Sequence, residues 1–441
     1  MKQHDLLTGS IPGHILRLSL PSIAGMFSFV IYNLTDTYFV SALGTDALAA
    51  MGFTFPVVLI VGAISSGISM GAASLLSRAK GAGDYHLMQR IATDGILLSL
   101  IFVMIVSIVG LFTMDEVFTL LGAAPDVLPL VKDYMFIWYA FVVVFVMPPV
   151  CDSCMRASGD MIRPFIVMST CAIFNIILDP LLIHGYWIFP QLGIKGAALA
   201  TIIARSIGMF ATLYFTHFHH HLISFKVKNA SEILYSWKGI MKIGIPSITV
   251  LLMPQLLRSV LTALVASAGG TIAVASIAVG SRTESFATMI TGGVGLALVP
   301  VVGQNWGAEK FSRVYEARKF AIKFAVIYGI LIFLLSIPLA KPVSRIFTDE
   351  AAVVTGSAYY LWIMLFGMIG LTITNWMSRA FTTIGRPIWT VLLNVAGTLG
   401  IVIPLAFLGK VAGGYIGILV GVSIGQLIVG TWSIRLSKNK M

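Results

Sequence analysis

Charge is what this sequence has least of. Of its 441 residues only 18 are acidic and 29 basic, so charged side chains make up 11% of the chain against 58% hydrophobic. Soluble domains carry about 25% charged residues, and a mean hydropathy of +0.94 excludes water as the solvent for most of this surface. Cysteine is nearly absent too: three residues rule out a disulfide framework. Cys151 and Cys154 form a C-x-x-C at the end of an apolar run, but without a second pair they read as packing, not as a metal or redox centre. The chain has no P-loop, no H-E-x-x-H and no G-x-S-x-G, which excludes nucleotide-driven pumping and the corresponding hydrolases. Gly81-Ala82-Gly83-Asp84 matches the G-x-G-D of intramembrane aspartyl proteases. Its aspartate lies in a basic loop and is not one of the acids inside the apolar runs, so no enzyme is expected.

What remains is apolar runs of membrane-spanning length, about 20 residues each. They are expected near 15–41, 47–76, 91–113, 131–154, 163–185, 194–216, 239–268, 272–303, 317–340, 355–378, 387–409 and 413–434. The fold class is therefore all-α, a polytopic membrane protein with 12 transmembrane helices, and its first partner is the lipid bilayer. The first run is a full span preceded by Met1-Lys2-Gln3-His4-Asp5, so no cleavable leader is expected. The net charge of +11 does not point to nucleic acid, because the basic residues sit in alternate loops. Twenty-one of the 29 fall in loops on one side and five on the other, with Arg205, Arg258 and Arg282 inside spans. By the positive-inside rule both termini are cytoplasmic.

The two halves repeat one another. Leu18-Ser19-Leu20-Pro21-Ser22-Ile23 returns as Ile243-Gly244-Ile245-Pro246-Ser247-Ile248, and Gly44 falls opposite Gly269 at the same offset. Later, Arg156 and Arg163-Pro164 return as Arg379 and Arg386-Pro387. Parallel repeats of this kind place a binding site at their interface and suit alternating access in a secondary transporter. Residues 1–222 are expected to form one pseudo-symmetric six-helix lobe carrying the ion site, 239–441 the other, and 223–238 a cytoplasmic linker. His217, His219, His220 and His221 precede that linker; lacking a nearby Cys or carboxylate, they read as part of the connection.

Asp36, in Tyr32-Asn33-Leu34-Thr35-Asp36-Thr37, is a carboxylate inside the first span, where a charge costs at least ~2.5–3.5 kcal/mol. In the fifth span Asn175 and Asp179 are four residues apart and share a face, with Pro180 loosening the backbone just after. Counted from the outer helix ends, Asp36 and Asp179 lie at similar depth, roughly 10 Å below the surface, and are expected to meet. Two carboxylates in one dry pocket cannot both ionise cheaply and should titrate as a unit. That describes a proton site, or a sodium site if oxygens from Asn33, Thr37, Asn175 or Thr201 complete a shell. At the repeat offset Asp36 faces Leu261, so this acid belongs to the first half alone. In the second half Arg258, Arg282 and Glu284 are buried charges, with Arg258 and Glu284 expected to pair; a coupling or substrate role is the alternative. Pro21 weakens the first helix and is the candidate hinge. The 20 Met and 27 Phe supply polarizable walls suited to varied aromatic cargo.

These residues resemble the multidrug and toxic compound extrusion (MATE) family, in particular its prokaryotic DinF-like branch. The likeness is carried by Leu20-Pro21 with Tyr32 to Thr37, the Gly67-to-Asp84 run, Asn175-x-x-x-Asp179-Pro180, Lys195-Gly196-Ala197-Ala198, and Arg282-Thr283-Glu284-Ser285-Phe286. It implies two lobes in a V-shaped arrangement in the inner membrane, and export of amphipathic, often cationic organic compounds in exchange for protons, with sodium the second choice. No cofactor beyond the coupling ion and no oligomeric partner are expected. By matching position, Asp36 and Asp179 would bind the ion, with Asn175, Tyr134 and Thr201 as polar neighbours. The NorM-like branch has acids in the second half where this chain has none. A related lipid-linked oligosaccharide flippase is the alternative; it would need a cationic cavity for pyrophosphate, which Arg205, Arg258 and Arg282 could begin.

Overall fold

The computed structural model describes residues 5–41, 43, 45–224 and 229–441, and the side chains of 45–49 are not among those described. Gly44, Lys2, Lys226 and Lys228 of the sequence reading lie outside these residues. Everything described is helix or short connection, with no strand. In chain order the helices are α1 (Ile11–Ser41), α2 (Thr45–Gly81), α3 (Tyr85–Phe112), the short α4 (Met114–Leu120), α5 (Leu128–Ala140), α6 (Val143–Ala157), α7 (Ile162–His184), α8 (Ile194–Tyr214), α9 (Ala230–Gly307), α10 (Phe311–Arg345), α11 (Ala351–Thr383), α12 (Pro387–Val391) and α13 (Ile403–Lys440). α5 and α6 form one span bent by 47°. α9 holds two spans that meet at Gly270, whose φ of 62° only glycine adopts freely. Gly414, at φ 56°, divides the stretch 387–440 in the same way. The protein is thus a twelve-helix membrane protein, as the apolar runs predict.

Local chemistry explains the connections. In the G-x-G-D stretch, Gly83 takes φ 76° to end α2, and the Asp84 carboxylate accepts from the Leu87 N–H at 2.8 Å to cap α3. The aspartate is a helix cap. α7 and α8 are drawn together by missing side chains. A Cβ on Gly196 would stand 2.2 Å from the Leu182 carbonyl, and one on Gly208 2.4 Å from the Cys171 sulfur. Small residues let membrane helices approach this closely.

The described residues pack as two compact units, Leu20–Ile245, and Asp5–Ser19 with Pro246–Met441. The boundaries fall at the repeat-equivalent prolines, one residue before Pro21 and directly before Pro246. The units thereby differ from the expected 1–222 and 239–441 at each end, for two physical reasons. First, 230–238 is no linker but the opening of α9, held to α3. Trp237 Nε1 donates to the Asp94 carbonyl at 2.9 Å, and Arg90 donates to Ser236 at 3.0 Å and to the Glu232 carbonyl. Ile240 is fully buried against Ile68 and Val150. Second, Asp5–Ser19 packs within the second unit. Arg313 donates to the carbonyls of Leu6, Thr8 and Gly9, and Asn305 and Lys310 to those of Leu6 and Leu7. Leu6, Ile11 and Ile15 are buried there.

The core of the first unit gathers Phe118, Val131, Met135, Trp138, Val146 and Ile183. That of the second is built on α11, whose Tyr360, Leu361, Met364 and Met368 pack with Leu264, Val265 and Ile418.

Candidate functional site

Four helices of the first unit each place a pair of polar side chains one turn apart, and so on one face. They are Tyr32 and Asp36 on α1, Asn175 and Asp179 on α7, Thr201 and Arg205 on α8, and Asp152 and Arg156 on α6. Tyr32, Asn175, Asp179 and Thr201 are buried, while Asp36 and Arg205 are half-buried.

On α7 the Asn175 amide donates to Asp179 Oδ1 at 3.1 Å. The other oxygens of the pair, Asn175 Oδ1 and Asp179 Oδ2, are buried without a hydrogen-bond partner. This is an unusual arrangement for a structural contact, since buried polar atoms are normally satisfied. Asp36 lies close enough for its charge to act on Asp179, and Tyr134 on α5 feels Asp36, Tyr32, Asp179 and Arg205 together. The Arg205 guanidinium sits 4.8 Å from the centre of the Tyr32 ring and 5.9 Å from that of Phe145, a cation–π contact. Its charge also reaches Asp36. The Tyr32 hydroxyl lies beside Thr201. Asp36, Asp179, Asn175, Tyr134 and Thr201 are therefore brought together, with Tyr32 and Arg205 joining them.

Asn33 and Thr37 are not part of this cluster. Both are exposed; the Asn33 amide donates to the Phe29 carbonyl at 2.7 Å and the Thr37 hydroxyl to the Asn33 carbonyl at 2.8 Å. Each turns back on its own helix, and the oxygen shell expected of them is not built.

The second unit departs further from expectation. Glu284 is half-buried, but Arg258 and Arg282 are exposed, not buried. Among the described residues no salt bridge joins Arg258 to Glu284. Glu284 instead accepts from the Tyr360 hydroxyl at 2.6 Å, a short charge-assisted bond that satisfies the acid without a buried counter-ion. Arg258 still acts on Glu284 at longer range.

Sequence reasoning passed over Tyr32, Asp152 and Tyr360 as site residues. Asp152 is an acid in a span four residues before Arg156, the same signal that singled out Asn175 and Asp179, but its flanking cysteines drew the attention. Nothing local marks Tyr360, which meets Glu284 across 76 residues of chain.

Outside the spans, Asp160 closes the turn between α6 and α7. It accepts from the backbone N–H groups of Ile162 and Arg163, pairs with the Arg163 guanidinium, and lies 3.0 Å from His220 Nε2. Burial alone would push its carboxyl up, but His220 and Arg163 outweigh it and hold the group well below the usual carboxylate range. Of the four histidines, His220 thus has a carboxylate partner close by in space that the sequence does not show.

Twelve membrane-spanning helices in two repeats, with a polar cluster of acids, amide and hydroxyls inside the first, define a secondary transporter and not an enzyme. Residues 21–181 and 246–408 match the MatE family, and the chain belongs to the MATE family of multidrug and toxic compound efflux transporters. It is 31% identical to the FAD transporter of Shewanella oneidensis over 430 residues, 97% of this chain and 94% of the relative. Its identity to the multidrug export protein MepA of Staphylococcus haemolyticus is 26% over 423 residues, 94% and 90% of the two chains. A mutant of the MATE transporter VcmN of Vibrio cholerae is similar in structure, with a TM-score of 0.91 and 27% identity over 98% of this chain and 96% of that one.

Proposed function

We propose that this transporter exchanges protons for organic compounds by alternating access, and that Asp36 and Asp179 carry the coupling proton with Asn175 as their fixed donor. The observation that supports this most is the Asp179 carboxyl itself, wholly buried, with one oxygen held by Asn175 and the other open. A sodium ion needs a shell of several oxygens, a proton a single acceptor. With Asn33 and Thr37 bonded to their own helix, the proton is the better fit and sodium the second. Tyr134 and Thr201 are the polar neighbours through which the proton is held. Pro21, at the start of the first unit, is where α1 bends as the site fills and empties. In this reading the chain is a monomer in the bacterial inner membrane with both termini cytoplasmic.

The cargo we propose is an amphipathic organic cation, in keeping with the MepA relative. A second cargo is favoured by the FAD transporter relative: an anionic dinucleotide, for whose pyrophosphate the exposed Arg258 and Arg282 offer countercharge. Purified protein in liposomes given a pH gradient without sodium should move a fluorescent cation or FAD, and Asp36→Asn should stop either at unchanged insertion. Transport that follows a sodium gradient and ignores pH would overturn the proton assignment. Movement of FAD with no movement of cations would replace the first cargo by the second.

A further inference from the structure

Asp152 lies on α6 between Cys151 and Ser153, with its side chain 16% exposed. Its Oδ2 meets Arg156 Nη2 at 3.5 Å, while its Oδ1 is buried with no hydrogen-bond partner. An acid inside a span with one long contact and one empty oxygen is poorly served as a structural ion pair, because a buried charge is costly unless closely paired. Its second charged neighbour is Arg205. Arg205 Nε is likewise buried without a partner, and the guanidinium rests on the Tyr32 and Phe145 rings, with a hydrogen bond to the Tyr32 hydroxyl and no carboxylate in salt-bridge contact among the described residues. Asp36 and Asp152 both lie within electrostatic reach of Arg205.

Helix positions arrange these groups in depth. Asp36 stands five residues before the end of α1 at Ser41, and Asp152 five before the end of α6 at Ala157. Because those two ends face opposite sides of the bilayer in the proposed topology, each acid is roughly 8 Å in from a different face. Arg205 is eleven residues into α8, or about 17 Å from its start. Acid, arginine, acid and arginine alternate through the first unit. The remaining groups facing Asp152 are neutral: the thiols of Cys151 and Cys154 on its own helix, Cys171 on α7, and the hydroxyls of Thr212 and Thr216, which lie beside Cys151. Of the other helices packed on α6, α2 carries Arg78 and Lys80 in its last turn, and α3 carries Arg90 paired with the buried Asp94 at 3.7 Å.

We infer that Asp152 is a second proton-binding carboxylate of the transport cycle, placed on the cytoplasmic side of Asp36 and Asp179, and that Arg205 is the cation the two sides share. One guanidinium balances one carboxylate at a time. A proton from outside that neutralises Asp36 frees Arg205 for Asp152, which then gives up its own proton to the cytoplasm. When the site turns to face the cytoplasm, Asp36 releases its proton there and Asp152 takes one up from the same side, which restores the Asp36 anion and returns Arg205 to it. Each round takes one proton from outside and delivers one inside, with Arg205 charged throughout. This rests on the proton-coupled reading above, and the tests are chosen to separate the two.

Asp152→Asn and Asp152→Glu are compared with Asp36→Asn in liposomes whose internal and external pH are set independently, with protein oriented so that its cytoplasmic face is inside. Asp36→Asn should be inactive at every pH. Asp152→Asn should keep substrate binding, measured by fluorescence titration, but lose gradient-driven transport and its dependence on internal pH, while Asp152→Glu restores both. Infrared difference spectra of the purified protein, which need no transport, should show a protonated-carboxyl band that Asp152→Asn removes and Arg205→Gln shifts. Wild-type transport and internal-pH dependence in Asp152→Asn, with no such band, would leave Asp152 as a partner of Arg156 only and overturn the inference. Retained proton-driven transport in Asp36→Asn would instead defeat the underlying reading.

Discussion

Asn175 and Asp179 stand one turn apart on α7, both fully buried, with the amide of the first donating to a carboxyl oxygen of the second at 3.1 Å. Each leaves an oxygen unbonded. Asn175→Ala removes the single donor on Asp179, so it should weaken proton coupling while substrate binding persists, at a cost of about 1–3 kcal/mol in stability. Proton uptake by detergent-solubilised protein on jumping the pH is the direct measurement. Asp179→Asn should remove the share of that uptake due to this carboxyl, where Asn175→Ala only slows or shifts it.

The bond from Tyr360 to Glu284 replaces the Arg258 pair that charge alone suggests. Tyr360→Phe should cost ~1.5–3 kcal/mol, the range for hydrogen bonds to charged groups. Arg258→Ala, on an exposed side chain, should stay within about 0.5 kcal/mol of wild type. Thermal unfolding of the two single variants and of each combined with Glu284→Gln gives the coupling energies. A large coupling for Arg258 and none for Tyr360 would reverse the assignment.

At the turn before α7, the carboxyl of Asp160 is held below its usual range. A depressed acid contributes stability that is complete above its unfolded value and is lost as pH falls through its folded one. The stabilising effect should therefore be full at neutral pH and fade in acid, below the ordinary carboxylate range. Asp160→Asn should lower the melting temperature at neutral pH, and the gap to wild type should close as the pH is lowered. A gap independent of pH would mean that the shape of the side chain matters there and not its charge.

Arg313 donates to three backbone carbonyls of the Asp5–Ser10 segment, those of Leu6, Thr8 and Gly9, and is itself steadied by Asn305 Oδ1 at 2.8 Å. Arg313→Ala should loosen the segment without unfolding the second unit. Protease cleavage ahead of α1 should speed up roughly tenfold for every ~1.4 kcal/mol of docking lost. Lys310, which makes one such contact, should give a smaller effect when changed to Ala.

The fold was legible because a membrane span announces itself by length and apolarity, and Gly270 and Gly414 mark the two tight breaks by their identity. The α7 pair was legible because four residues of helix fix a shared face. Asn33 and Thr37 fall outside the cluster because nearness in number to Asp36 is not nearness in space. At about 100° per residue, Tyr32 lies nearer the face of Asp36 than does either of the two. Contacts made across the chain left no local mark: Tyr360 on Glu284, the Tyr32 and Phe145 rings under Arg205, and His220 beside Asp160. The packing of 5–19 with the second unit was hidden for the same reason, since its anchors are carbonyl groups that every residue possesses.

That N-terminal segment has a consequence for how the protein is made. Leu6 leaves the ribosome early, yet Asn305, which grips its carbonyl, follows 299 residues later. At about 5–20 residues per second, the segment waits some ~15–60 s without its partner while the whole first unit is inserted. Whatever receives the nascent chain must leave these residues unengaged until α9 and α10 arrive. A chain stopped after its sixth span would carry the segment with nowhere to dock, exposing Leu6, Ile11 and Ile15 to quality-control proteases. The second unit is thus closed by a segment synthesised long before the rest of it, and its assembly is a late event in the biogenesis of the transporter.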